Sequence, residues 1–109
     1  MDMAPAREYK KTVVTRIQRD KKFARALCTE ALNALLEGET EEGLSRLRDL
    51  VHAGLSFKEL ARQTGLGEKA LHRMLSCLGN PTTRNLFAVT KAICAALSFK
   101  PRVAMGATS

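Results

Sequence analysis

Apolar residues recur every three or four positions through most of this chain, a period that predicts helices rather than strands. Phe23, Ala24, Leu27, Cys28, Ala31, Leu32 and Leu35 form the longest such stripe and place a helix at roughly Lys21 to Leu36. Asp20 stands before it as an N-cap, and Gly38 follows it where a left-handed residue ends a helix. Upstream, Val13, Val14 and Ile17 mark a shorter helix from about Lys11 to Arg19, preceded by a loose arm over residues 1–8 that contains Pro5. Downstream, the acidic turn Glu39 to Glu42 leads into a third helix capped by Thr40. Its inner stripe is Leu44, Leu47, Leu50 and Val51, and Gly54 ends it.

The stretch Phe57 to Ser76 reads as two short helices around a tight turn. Ser56 and Glu59 have capping-box spacing at its start. Ala61 is small enough for a steep helix crossing, and Gly65 reaches positive φ cheaply at the turn. Leu60, Leu66, Leu71, Met74 and Leu75 supply the wedge between the helices, so Glu68, Lys69, His72 and Arg73 fall on the outer face of the second. This is a helix-turn-helix pattern, whose second helix typically enters the DNA major groove. The plain alternative for the same spacing is a structural pair of helices, and for each exposed charge a solvated face. Pro81 forbids a helix running through it, and a last helix follows from Thr82 or Thr83 to Leu97 with Leu86, Val89, Ile93 and Leu97 inward. Phe99 to Val103 has a weak period of two and suggests a short extended segment, with residues 104–109 as a flexible tail.

Ala, Leu, Lys, Arg and Glu dominate the composition, which with the helical period predicts an all-α fold: one compact bundle of five to six short helices over residues 9–103. The net charge of +7 is unevenly placed. Residues 1–25 and 55–109 carry the basic surplus, and residues 26–54 an acidic one. A basic surround for a helix-turn-helix suits a polyanion, because neutralised phosphates release counterions. Cys28, Cys77 and Cys94 have no CxxC spacing, and His52 and His72 stand at no ligand spacing to them, so neither a disulfide framework nor a metal site is expected. Cys28 and Cys94 belong to helical stripes and are expected in the core. No apolar run approaches the roughly 18 residues of a membrane span, and no signal peptide is visible, so a cytoplasmic location without membrane contact is expected. Paired carboxylates, a nucleophile beside a base and a phosphate-cradling loop are all missing, so no enzyme and no cofactor is expected.

With these elements placed, the chain resembles the HigA-like addiction-module antidotes of the phage-repressor-type helix-turn-helix superfamily. The resemblance covers about residues 9–103. It rests on Tyr9-Lys10, Asp20 with Phe23-Ala24, Leu47-Arg48-Asp49, Glu59-Leu60-Ala61 with Thr64-Gly65-Leu66, Leu71 with Leu75-Ser76, Gly79-Asn80-Pro81, and Leu86 with Ala88-Val89 and Lys91-Ala92. It implies a DNA-binding antitoxin that binds double-stranded operator DNA as a homodimer, represses its own operon and neutralises a cognate RelE-like ribonuclease toxin. Gly67 stands where the family commonly has a capping Ser, Glu68 where a basic or polar residue is common, and His72 where an aromatic is common.

Within that reading Lys69 and Arg73 are the first candidates for base edges, with Glu68 and His72 beside them. Lys58, Asn80, Thr82, Thr83 and Arg84 would position the duplex through phosphates, the last helix offering its free N–H groups. For Asn80 and Thr82 plain turn and cap chemistry is the alternative. The last helix with Phe99 and Val103 is the first expectation for the dimer surface. The basic first helix and the acidic edge Glu37–Glu42 are expected toxin contacts, though a solvated turn accounts equally for the latter. Two other readings stand beside the antitoxin: a stand-alone helix-turn-helix regulator, and a helical protein-interaction module without DNA binding, for which Glu68 and Leu78 argue.

Overall fold

The computed structural model describes residues 4–54, 56–76, 79–98 and 100–107, with side chains from Lys11 onward. Six helices follow in order among them: α1 (Ala4–Arg19), α2 (Lys21–Leu36), α3 (Thr40–Ala53), α4 (Phe57–Thr64), α5 (Glu68–Met74) and α6 (Thr83–Ala96). The all-α expectation holds, and no strand occurs among the described residues.

Local chemistry explains most of the boundaries. The Asp20 carboxylate accepts from the Phe23 N–H at 3.1 Å and starts α2. Gly38, at φ +87°, ends it: the Glu39 N–H donates to the Ala34 carbonyl at 2.7 Å and the Gly38 N–H to Leu35 at 3.2 Å. Those two bonds form a Schellman motif, which satisfies carbonyls the helix leaves unpaired. Ser56 caps α4 by accepting from the Glu59 N–H at 3.1 Å, and Thr82 caps α6 by accepting from Asn85 at 3.2 Å.

Four expectations change. The first helix begins at Ala4 rather than near Lys11, so the stretch 4–8 anticipated as a loose arm is helical. Pro5 permits this, because proline is tolerated in a first turn where its missing N–H would have no partner. Thr40 is the first residue of α3 and not its cap; Glu39 occupies that position without a side-chain bond. The return half of the capping box at Glu59 is replaced, since its carboxylate accepts from Arg62 and Gln63 instead. Finally, residues 100–107 carry no extended element. Leu55, Cys77, Leu78 and Phe99, each given a role above, lie outside the described residues, as do residues 1–3 and 108–109.

The core lies between two groups of helices. In the first, α2 and α3 form a close hairpin covered by α1. Gly43 allows the close approach: a Cβ there would lie 2.6 Å from Leu35 Cγ and 3.0 Å from the Ala31 carbonyl. In the second, α4 packs on both α5 and α6. Leu44, Leu47 and Val51 of α3, with Leu60, Leu71, Leu75 and Val89, are completely or almost completely buried where the groups meet.

Side chains from the first group also tie down helix ends. The Gln18 amide of α1 donates to the Ala53 carbonyl at the end of α3, at 3.1 Å. Arg48 of α3 donates to the Leu75 carbonyl at the end of α5, at 2.7 Å. Arg25 of α2 donates to the Leu97 carbonyl past α6, at 3.1 Å, where Ser98 takes φ +60°. Each donor meets a negative helix end, and the two arginines add a favourable charge–dipole attraction.

Candidate nucleic-acid interface

α5 is held from beneath. Its seven residues are too few for a stable helix in isolation, so packing must fix it. Leu71 is fully buried, Met74 nearly so, and Leu75, at the C-cap, is fully buried beside Leu60 of α4. Ala61 and Leu66 are half-buried against the same cluster.

The turn between α4 and α5 is set by two residues. Gly65 takes φ +79°, and its N–H donates to Ala61 at 2.8 Å. The Thr64 hydroxyl donates to the Leu60 carbonyl at 2.8 Å and accepts from the Leu66 N–H at 3.2 Å, so it bridges the end of α4 to the turn. Gly67 leads into α5 in extended conformation without a side-chain cap.

This packing leaves Glu68, Lys69, His72 and Arg73 exposed together on the other side of α5. Lys58, Asn80, Thr82, Thr83 and Arg84 are exposed as well. Two contacts bring the two sets near each other. The His72 ring stacks on Phe57 with centroids 3.7 Å apart and planes at 16°, which sets α5 against the first turn of α4, next to Lys58. Gly79 lies against the end of α5: a Cβ on it would overlap the Met74 carbonyl oxygen and approach that of Arg73 to 2.8 Å. Asn80 therefore follows directly after the residue that touches the Arg73 backbone.

The stack modifies what was expected of His72. It is exposed, but one ring face is covered by Phe57, so only its edge and the opposite face are available. Phe57 itself is buried and meets His52 of α3 edge-on at 5.1 Å. Sequence reasoning gave Phe57 no role. A lone aromatic at the first position of a helix carries no periodic signal, and its partner comes from the next helix.

Charge on this side is largely uncompensated. Among the described residues, Lys58, Lys69, Arg73 and Arg84 make no ion pair, and Glu68 makes none either. By contrast, Arg46 on the acidic side pairs with Glu42 at 2.8 Å and reaches Glu30 at 3.6 Å. Arg62 of α4 pairs with Glu59, whose carboxyl is held down to about 2 by the hydrogen bond from Arg62 first and that from Gln63 second. α6 starts beside this side, and of its first-turn N–H groups the Thr82 oxygen takes that of Asn85. The Thr82 hydroxyl proton remains available to an acceptor such as a phosphate oxygen.

Arg73 is anchored through its backbone. Its carbonyl accepts from the Ser76 hydroxyl at 2.7 Å and from the Ser76 N–H at 3.2 Å, while its guanidinium stays in solvent. Such an arrangement, a fixed backbone with a free planar donor fork, suits bidentate bonding to a carboxylate, a phosphate or a guanine edge.

No three His, Cys, Asp or Glu side chains gather where a metal ion could sit among the described residues, and no helix there is long and apolar enough to cross a membrane. No protein-family model matches the chain, and neither the curated proteins nor the solved structures contain a significant match to it.

Proposed function

We propose that the chain is a DNA-binding antitoxin that represses its own operon as a homodimer and neutralises a small RelE-like ribonuclease toxin. The observation that carries the DNA part is the exposed side of α5, where Lys69 and Arg73 stand unpaired and are flanked by Lys58 and Arg84. Lys69 and Arg73 would read base edges from the major groove. Lys58, Asn80, Thr82, Thr83 and Arg84 would hold phosphates and so fix the register. Glu68 repels phosphates unless it accepts from a cytosine amine, which makes it a discriminating residue in this scheme. The toxin part rests on the resemblance to the HigA-like antidotes. Its support in the molecule is the exposed acidic corner Glu37, Glu39, Glu41 and Glu42, which is complementary to a basic ribonuclease. A toxin-sized reading frame beside the gene, whose product co-purifies with this chain, separates the antitoxin from a stand-alone regulator.

Binding to the DNA upstream of its own gene is expected to weaken steeply with salt. For about six phosphate contacts per dimer, the logarithm of the association constant should fall against that of salt with a slope of about −5. Fluorescence anisotropy over a salt series measures this. A slope near zero would remove the DNA reading and leave the protein-interaction module.

A further inference from the structure

Cys28 on α2 and Cys94 on α6 stand 66 positions apart in the chain, yet their Sγ atoms lie 3.8 Å apart in the core. Both are free thiols. Their surroundings differ. Cys28 has no exposed surface, whereas Cys94, 2 % exposed, lines an open groove along α6 with Phe87, Lys91, Ala95 and Pro101. A small oxidant in that groove meets Cys94 first, and Cys28 is already in contact with the same sulfur from behind.

We infer that Cys28 and Cys94 are a thiol-oxidation site that closes to an intramolecular disulfide when the protein meets a hydroperoxide. In the first step the Cys94 sulfur attacks the peroxide: an S–O bond forms, the O–O bond breaks, and the departing oxygen takes up a proton and leaves as water or an alcohol. In the second, the Cys28 sulfur attacks the Cys94 sulfenic acid. The S–S bond forms, the S–O bond breaks, and the hydroxyl leaves as water with the Cys28 proton. The pair loses two electrons and one peroxide is reduced. The sulfurs must close from 3.8 Å to a bonded separation of about 2.05 Å, a movement within reach of rotamer adjustment and a small helix shift.

The electrostatics agree with this order. Burial raises both thiols, Cys28 to about 12, while the hydrogen bond from Cys28 offsets part of the rise at Cys94. Cys94 therefore supplies the thiolate. Because that thiolate is scarce near neutral pH, closure is slow and answers sustained oxidation rather than a brief pulse.

The test uses the full chain treated with hydrogen peroxide, then unfolded, alkylated and mapped without reduction by mass spectrometry. The expected product has lost about 2 Da through one S–S bond, contains a Cys28–Cys94 linked peptide that dithiothreitol releases, and leaves Cys77 open to alkylation. Cys77→Ala should form the same bridge, and Cys28→Ala should form none and instead carry added oxygen on Cys94. Alkylation of both Cys28 and Cys94 after treatment, or a bridge that includes Cys77, would overturn the inference. No DNA enters the experiment, so its result is separate from that of the function proposed above.

Discussion

Leu71→Ala is expected to lower the unfolding free energy by about 2–5 kcal/mol, a large part of the roughly 5–15 kcal/mol that holds a small domain together. Leu71 has no exposed surface and belongs to the same cluster as Leu60 and Leu75, also fully buried. α5 is only seven residues long, so it has no stability apart from this cluster. Truncation leaves a cavity beneath the helix that carries the exposed basic residues, and the helix frays with it. Urea unfolding checks the expectation: the midpoint falls while the slope is kept. A cost below about 1 kcal/mol would mean that α5 is not packed through Leu71.

The second large effect concerns recognition. Arg73→Ala is expected to cost about 1–3 kcal/mol of discrimination between operator and altered sites, because a free guanidinium on a fixed backbone forms a bidentate pair with guanine. Arg84→Ala, at the start of α6, should weaken all duplexes nearly equally and make the salt slope shallower by about one. Competition assays with operator and scrambled duplexes distinguish the two patterns. Small and equal losses from both variants would count against the division into base-reading and phosphate-holding residues. The arithmetic favours a detectable difference, since 1.4 kcal/mol is about tenfold in affinity.

How much of this was legible in the chain depends on the reach of the interaction involved. Asp20, Gly38, Ser56 and Gly65 act within four residues of their own positions, and each sets the boundary its chemistry implies. The periodic positions Leu60, Leu71 and Leu75 are buried as the spacing requires, because a helix stripe has only one side on which to pack. The ties at helix ends were not legible. Gln18, Arg48 and Arg25 find carbonyls 35, 27 and 72 residues away, and nothing local marks a long polar side chain for such a partner. The His72–Phe57 stack escaped for the same reason. His72 was correctly placed outward on α5, but its covered face comes from a separate helix. The nearness of Cys28 and Cys94 likewise appears only once α2 and α6 are set side by side, although each thiol was expected inside.

Whether the polar side of α5 enters a duplex is best decided by methylation protection of guanine N7, an atom that faces the major groove. On DNA that the protein retains, two protected patches about 34 Å apart are expected, one per protomer, and Arg73→Ala should expose a guanine in each. Retention without N7 protection, or protection that Arg73→Ala leaves unchanged in both patches, would contradict the assignment of that helix as the reading element.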